Sequence, residues 1–278
     1  MLTRTQLKET FSQYGFRPLK RFGENYLIDS NIKDKIIAES GLSTDDVVLE
    51  IGPGLGAITI DLAESGASIF AVEKDRKAFA ILQDITADRF PNLRIISGDI
   101  LKFDFAAIET SKKIKVIGNL PYYITTPILE YLIENRGRID SILVMVQREV
   151  ANRLLSGPGT KEYSSLSCFV QYYMKARYLH TITRRSFFPE PDVDSSLIRF
   201  DVLDKPSVEV RDETIFFKIV RGAFNQRRKS IINSLSRKEV LDMPKDELSK
   251  ILKQVGIDSS ARPETLSLPE FARLANAF

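Results

Sequence analysis

An α/β fold is what this 278-residue sequence predicts: a parallel sheet with helices on both faces, followed by a small all-helical domain. Three observations carry the expectation. Short apolar runs alternate with stretches of helical period through the first two-thirds of the chain. Those runs are nearly continuous, as in strands covered on both faces. Beyond Asp201 the strand patterns stop and only short helical ones remain.

Taken in order, residues 29–40 set Ile32, Ile36 and Ile37 at helical spacing, and Gly41 ends that helix. Residues 47–51 form an apolar strand. Residues 57–65 are helical, 69–72 form a second strand ending in Glu73, and 75–88 are helical. A third strand, 93–96, leads into Gly98-Asp99. A fourth, 115–118, leads into Asn119-Leu120-Pro121-Tyr122. Residues 128–134 are helical and 142–146 form a fifth strand. Helices are then expected over 212–224, 226–236, 244–255 and 269–276. The linker Asp204-Lys205-Pro206-Ser207 divides the chain into a sheet domain, 1–204, and a small helical domain, 205–278. Ligands of such sheets bind beyond the carboxyl ends of the strands. The distinctive segments after strands one to four all fall at that edge.

Composition excludes several classes. Hydrophobic residues at 43% and charged residues at 28% describe a globular chain and exclude a disordered one. No apolar run approaches the roughly 20 residues that cross a bilayer. Residues 1–10 lack the apolar core of a secretion signal, so the expected location is cytoplasmic. One cysteine, Cys168, and one histidine, His180, argue against a disulfide framework or a structural zinc. No metal and no membrane are expected, and the expected state is a monomer.

The net charge is only +3, but its distribution is uneven. Arg221, Arg227, Arg228, Lys229, Arg237 and Lys238 form a run with no acid among them. The leader carries Arg4, Lys8, Arg17, Lys20 and Arg21 against Glu9. Two such clusters are either solvated helix faces or contacts for an anionic partner such as the phosphate backbone of RNA or DNA.

Glu50-Ile51-Gly52-Pro53-Gly54-Leu55-Gly56 follows a strand and opens a helix. Glycine permits a sharp turn and close approach of a ligand. Read alone, this is a tight strand-to-helix turn. A dinucleotide site requires Gly-x-Gly-x-x-Gly facing a pyrophosphate. The spacing here suits S-adenosylmethionine, which has no phosphate. Glu73 can accept from both ribose hydroxyls, because a carboxylate offers two oxygens and no donor. Asp99 can accept from the adenine amino group.

Asn119-Leu120-Pro121-Tyr122 has a chemical logic for methylating an exocyclic amine. The N6 lone pair of adenine is delocalised into the ring. The Asn119 side-chain oxygen and the Leu120 carbonyl can accept the two N–H bonds and aim that lone pair at a methyl group. Pro121 stiffens the turn, and Tyr122 can stack on a flipped base. No strong general base is required; positioning and electrostatics suffice. Phe187-Phe188-Pro189-Glu190-Pro191-Asp192-Val193 forms a stiff, extended loop. Phe187 or Phe188 either closes the other face of the base or packs in the core. His180 and Cys168 have no role in this chemistry.

These motifs, with Phe22-Gly23-Glu24-Asn25-Tyr26-Leu27, Gly157-Pro158-Gly159-Thr160-Lys161-Glu162-Tyr163 and Ala223-Phe224-Asn225-Gln226-Arg227-Arg228-Lys229, span nearly the whole chain. In this order they resemble the ribosomal RNA adenine N6,N6-dimethyltransferases, and most closely the bacterial small-subunit branch. The resemblance implies a Rossmann-like class I methyltransferase sheet with a small all-helical C-terminal domain that binds RNA. It implies S-adenosylmethionine as cofactor, held by Asn25, Leu27, Gly52, Gly54, Glu73, Asp99 and Asn119. It implies that Asn119, Leu120, Pro121, Tyr122 and Phe188 form the catalytic set, with Tyr122 and Phe188 sandwiching the base. Arg221, Arg227, Arg228 and Lys229 are expected to meet RNA phosphate. The implied reaction is dimethylation of two adjacent adenosines near the 3′ end of small-subunit rRNA, late in subunit assembly. Glu24 stands where the family usually has glutamine, and Tyr26 where it usually has phenylalanine. Two competing readings are a large-subunit rRNA methylase of the macrolide-resistance type and a non-catalytic assembly factor on the same fold.

Overall fold

The computed structural model describes residues 4–18 and 25–278. Lys20, Arg21 and the Phe22-Gly23-Glu24 part of the leader motif lie outside the described residues. In chain order the elements are α1 (Arg4–Gln13), β1 (Tyr26–Leu27), α2 (Ser30–Ser40), β2 (Val47–Ile51), α3 (Thr59–Glu64), β3 (Ser68–Glu73), α4 (Arg76–Thr86), β4 (Leu93–Ser97), β5 (Ile114–Asn119), α5 (Thr125–Glu134), β6 (Ile139–Gln147), α6 (Arg148–Leu155), α7 (Ser165–Tyr173), β7 (Met174–Ile182), β8 (Phe187–Phe188), β9 (Ser195–Val202), α8 (Glu213–Phe224), α9 (Ile231–Leu235), α10 (Lys245–Gln254) and α11 (Leu268–Ala275). None of the described helices is long and apolar enough to cross a membrane.

Two compact units divide the chain: residues 1–151 with 177–202, and residues 152–176 with 203–278. The second unit is therefore discontinuous. It takes in 152–176, which the sequence reading placed with the sheet. The cause is aromatic. Tyr172 and Tyr173 of α7 meet Phe216 and Phe217 of α8 with ring centroids 4.9–5.8 Å apart, and both hydroxyls donate to Glu213 at 3.1 and 2.7 Å.

In the first unit a seven-stranded sheet runs in the order β4-β3-β2-β5-β6-β9-β7. β4, β3, β2, β5 and β6 pair in parallel. β9 is antiparallel to β6, with Met145 opposite Leu197. The sheet is thus mixed rather than wholly parallel. β2 is buried throughout, its apolar run broken only by the equally buried Glu50. Helices start where short acids cap them: Asp29 accepts from the N–H groups of Asn31 and Ile32, and Asp75 from those of Lys77 and Ala78. A core cluster gathers Ile36, Val48, Leu62, Ile69, Ile117 and Met145. A second gathers Leu7 and Phe16 with Tyr26, Leu55, Ala78 and Ile81.

The chain runs outward from β2 to β4 and then returns to β5 on the other side of β2. That reversal is a topological switch point, where a crevice opens beyond the strand ends. Close packing defines it. Ile51 pairs with Gly118, and a Cβ on Gly118 would stand 2.8 Å from the Ile51 carbonyl oxygen.

In the second unit, the helix expected over 226–236 is shorter. Residues 225–228 form a turn and α9 begins only at Ile231. Arg227 explains the break. Its guanidinium donates to the carbonyls of Lys161 and of Tyr163 (3.1 Å to the latter), drawing the chain into the turn. The Ile231 N–H is committed to the Ala261 carbonyl at 2.7 Å.

Candidate functional site

The crevice at the switch point is lined by Asn25, Tyr26 and Leu27, by Glu50, Gly52, Pro53 and Gly54, by Glu73 and Lys74, by Gly98 and Asp99, and by Asn119, Pro121 and Tyr123, among others. Every residue expected to hold a cofactor from sequence lies on it: Asn25, Leu27, Gly52, Gly54, Glu73, Asp99 and Asn119. All but Asn25, which immediately precedes β1, stand at or just beyond a strand end. Glu73 and Asn119 are the last residues of β3 and β5, Gly52 follows β2, and Asp99 follows β4.

The glycine turn is fixed by Glu73. One carboxylate oxygen accepts the Gly54 N–H at 2.9 Å and the other the Asp75 N–H at 2.7 Å. Gly54 sits at φ +58, and a Cβ there would stand 2.9 Å from the Tyr26 ring. Only glycine lets the turn pass under that ring. Burial pushes the Glu73 carboxyl up, against the pull of these N–H donors. Asp99 accepts from the Leu101 N–H at 3.1 Å and pairs with the Lys74 ammonium at 2.7 Å. Burial pushes its carboxyl up, but Lys74 and the Leu101 N–H together hold it below the usual range.

Glu50 is the residue that the sequence reading left without a role. It is 1% exposed, and neither carboxylate oxygen has a hydrogen-bond partner. Burial, reinforced by the neighbouring Glu73 carboxylate, pushes it up to about 8. The Thr59 hydroxyl opposes that shift without reaching hydrogen-bond geometry. Its signal in the sequence was a lone acid inside the apolar run Val47-Val48-Leu49-Glu50-Ile51. Lys74, the partner of Asp99, was also missed, because a lysine after a strand end carries no pattern of its own.

The loop after β5 is rigid for identifiable reasons. The Leu120 N–H donates to the Met145 carbonyl at 3.1 Å, and its side chain is buried. The Pro121 carbonyl accepts from the Ile124 N–H at 3.2 Å and the Thr125 hydroxyl at 3.1 Å, which starts α5. The Asn119 amide nitrogen donates to the Asn25 carbonyl at 2.9 Å. That bond leaves the side-chain oxygen as the acceptor. The Tyr122 hydroxyl is hydrogen-bonded to the Ser195 hydroxyl at 2.6 Å, fixing a half-buried ring. Leu120, Tyr122 and Phe188 are not lining residues of the crevice. Phe188 borders it through β8, where it pairs with Tyr26. Phe187, opposite Leu27, is buried in the core. No ring contact joins Tyr122 to Phe188 among the described residues.

The donor set fits a ligand that is cationic at one end and rich in hydroxyl donors at the other. A buried carboxylate without a partner, Glu50, favours a cation. Glu73 and Asp99 offer acceptors. Gly52 and Gly54 clear the space a Cβ would fill. S-adenosylmethionine has this character. Among the described residues no group of three or more His, Cys, Asp or Glu is placed to hold a metal.

In the second unit Arg221, Arg228 and Lys229 are exposed, while Arg227 is exposed but tied to the 161–163 backbone. His180 faces Glu39 at 3.5 Å, and the Cys168 thiol, buried against the Tyr163 hydroxyl, is pushed up to about 12 by burial. Neither is a lining residue of the crevice.

Comparison with known proteins adds three findings. Residues 15–278 match the family model described as ribosomal RNA adenine dimethylase. The chain is 42% identical over 275 residues to the ribosomal RNA small subunit methyltransferase A of Lachnoclostridium phytofermentans, covering 98% of this chain and 95% of that one. It is 43% identical over 282 residues to the protein of the same name from Bacillus mycoides, covering 99% and 96%. Two solved structures share the fold. A dimethyladenosine transferase from Plasmodium falciparum superposes with a TM-score of 0.78 at 24% identity, over 90% of this chain and 95% of that one. The 23S rRNA methyltransferase ErmE does so at 0.71 and 24%, over 91% and 99%.

Proposed function

The chain belongs to the ribosomal RNA adenine dimethylase family, and from that membership we propose that it dimethylates N6 of two adjacent adenosines near the 3′ end of small-subunit rRNA, with S-adenosylmethionine as the methyl donor. It is an enzyme, an rRNA adenine dimethyltransferase. The observation that carries the site assignment is the convergence of Asn25, Gly52, Gly54, Glu73, Asp99 and Asn119 on one crevice beside the 119–122 loop.

In this reading Glu73 and Asp99 hold the nucleoside part of the cofactor, and Glu50 faces its cationic end. The bound cofactor supplies an electrophilic methyl group, so the protein's task is positioning. Asn119 performs it first. With its amide nitrogen held by the Asn25 carbonyl, its oxygen accepts one N6–H bond, and the Leu120 carbonyl accepts the other. Tyr122, clamped through Ser195, stacks on one face of the base, and Phe188 on the other. Arg221, Arg227, Arg228 and Lys229 contact phosphate. The substrate is an assembling small subunit, and the cytoplasm is the site of action.

The test offers purified protein and methyl-labelled S-adenosylmethionine to unmodified small subunits, large subunits and naked RNA in parallel. The expected product is N6,N6-dimethyladenosine on the small subunit. Label on the large subunit moves the chain to the resistance branch. Cofactor binding without label on any substrate favours an assembly factor. Asn119→Ala is expected to lose at least a hundredfold in methyl transfer, the order set by removing one positioned hydrogen-bonding group, while RNA binding is kept. Near-normal turnover in that variant refutes the role of Asn119.

A further inference from the structure

Phe188 is half-buried, and helix α1 lies over it. Phe11 stacks on its ring, with centroids 6.1 Å apart and planes 22° apart. The Arg4 guanidinium stands 4.9 Å from the ring centroid and the Lys8 ammonium 5.8 Å. Residues four apart lie on one helix face, so both cations are presented together. Both are exposed, and neither has an acidic partner among the described residues; the one acid of α1 is Glu9.

This helix is docked. Leu7 is 1% exposed, and the chain just after the helix is held by buried Phe16 and by the Tyr14 hydroxyl, which donates to Asp84 of α4. Two unpaired cations are therefore fixed beside an aromatic ring that borders the crevice. A solvent-exposed cation over an aromatic ring gains less than a charge-assisted bond to phosphate. The ring orients the guanidinium without competing for it.

We propose that α1 is an RNA-contacting element, in which Arg4 and Lys8 take the phosphodiester backbone beside the target adenosine and the Phe188 ring couples that contact to the base slot. This rests on the reading of the crevice as an adenine-methylating site with Phe188 against the base.

The test measures binding of a 3′-terminal fragment of small-subunit rRNA across a salt series, without cofactor. Wild type is compared with R4Q/K8Q and with the charge-conserving R4K/K8R. Each phosphate contact contributes about 0.7 to 0.9 to the slope of log affinity against log salt. R4Q/K8Q is expected to lose about 1.4 to 1.8 from that slope, to bind cofactor as wild type does, and R4K/K8R to keep the wild-type slope. An unchanged slope in R4Q/K8Q overturns the proposal. So does an equal loss in R4K/K8R, which would assign the effect to helix packing rather than charge. Methylation by wild type is scored separately. Its failure removes the adenine reading, while the salt slope still judges Arg4 and Lys8.

Discussion

A carboxylate without hydrogen bonds in a protein interior works against the fold that contains it. Glu50 is in that position, and the direction of its effect with pH can be derived. Its carboxyl is pushed up to about 8 by burial, with Glu73 adding to the shift. In the unfolded chain it titrates near an ordinary glutamate, at about 4.3. Between those values the folded state holds a proton that the unfolded state has released. Stability of the cofactor-free protein therefore falls as pH rises from about 4.5 to about 8, and this contribution is flat beyond. Glu50→Gln removes it. In thermal unfolding at pH 5 and pH 8.5, wild type is expected to lose more of its Tm than the variant. Glu73 is shifted in the same direction, so part of the dependence persists in Glu50→Gln. Equal losses in the two proteins would show that Glu50 does not titrate in this range. Buried acids displaced this far concentrate at ligand sites, which is why the crevice and not the core explains Glu50. The sequence marks such a residue only as an acid inside a strand. Its lack of partners is a property of three dimensions.

At the scale of elements, β5 runs past the end of β2 with no room for a side chain at Gly118. Gly118→Ala would set a Cβ 2.8 Å from the Ile51 carbonyl oxygen and 3.2 Å from the Ile51 Cβ. Backbone has to shift to relieve that contact. The expected cost is ~1–3 kcal/mol, the range for overpacking, read from denaturant unfolding. Because Asn119 is the next residue, methyl transfer should fall with it. Wild-type stability in Gly118→Ala would mean that the strands separate freely there and that the crevice does not depend on their spacing. The strands of this region were legible because each is an apolar run followed by a polar or glycine-rich turn. β9 was not, because Ser195 and Ser196 open it and Arg199 and Asp201 interrupt it, and its antiparallel pairing with β6 leaves no local mark. β1 and β8 were not legible either: two residues each, from segments about 160 apart, pair only when the fold is complete. The motif residues were read correctly onto the strand ends. The bonds that tune them, Lys74 to Asp99 and Asn119 to the Asn25 carbonyl, join residues whose pairing has no sequence period.

For the whole molecule, charge placement matters more than charge total. A net charge of +3 on 278 residues gives little long-range attraction for RNA. Binding then depends on local clusters. In the second unit Arg221, Arg227, Arg228 and Lys229 fall within nine positions without an acid between them. Arg221 is on α8, Arg227 and Arg228 are in the turn at 225–228, and Lys229 follows it. That turn replaces the helix that periodicity predicts, because Arg227 is held by the carbonyls of Lys161 and Tyr163. Those carbonyls belong to a segment some 65 positions earlier, so neither the turn nor the discontinuous unit was legible locally. Arg227 thus carries a structural load that Arg221, Arg228 and Lys229 do not, and the four should not respond alike. Neutralising Arg221, Arg228 and Lys229 together should weaken RNA binding across sequences and flatten the salt slope by up to about 2 to 3, at about 0.7 to 0.9 per contact, with the Tm unchanged. Adding Arg227→Gln should lower the Tm as well, because two carbonyls lose their donor. The check is a salt titration of rRNA binding beside a thermal melt for each variant. A slope that stays at the wild-type value in the triple variant removes the phosphate assignment. A melt unaffected by Arg227→Gln would show that the turn holds without its guanidinium, and Arg227 would lose its structural role.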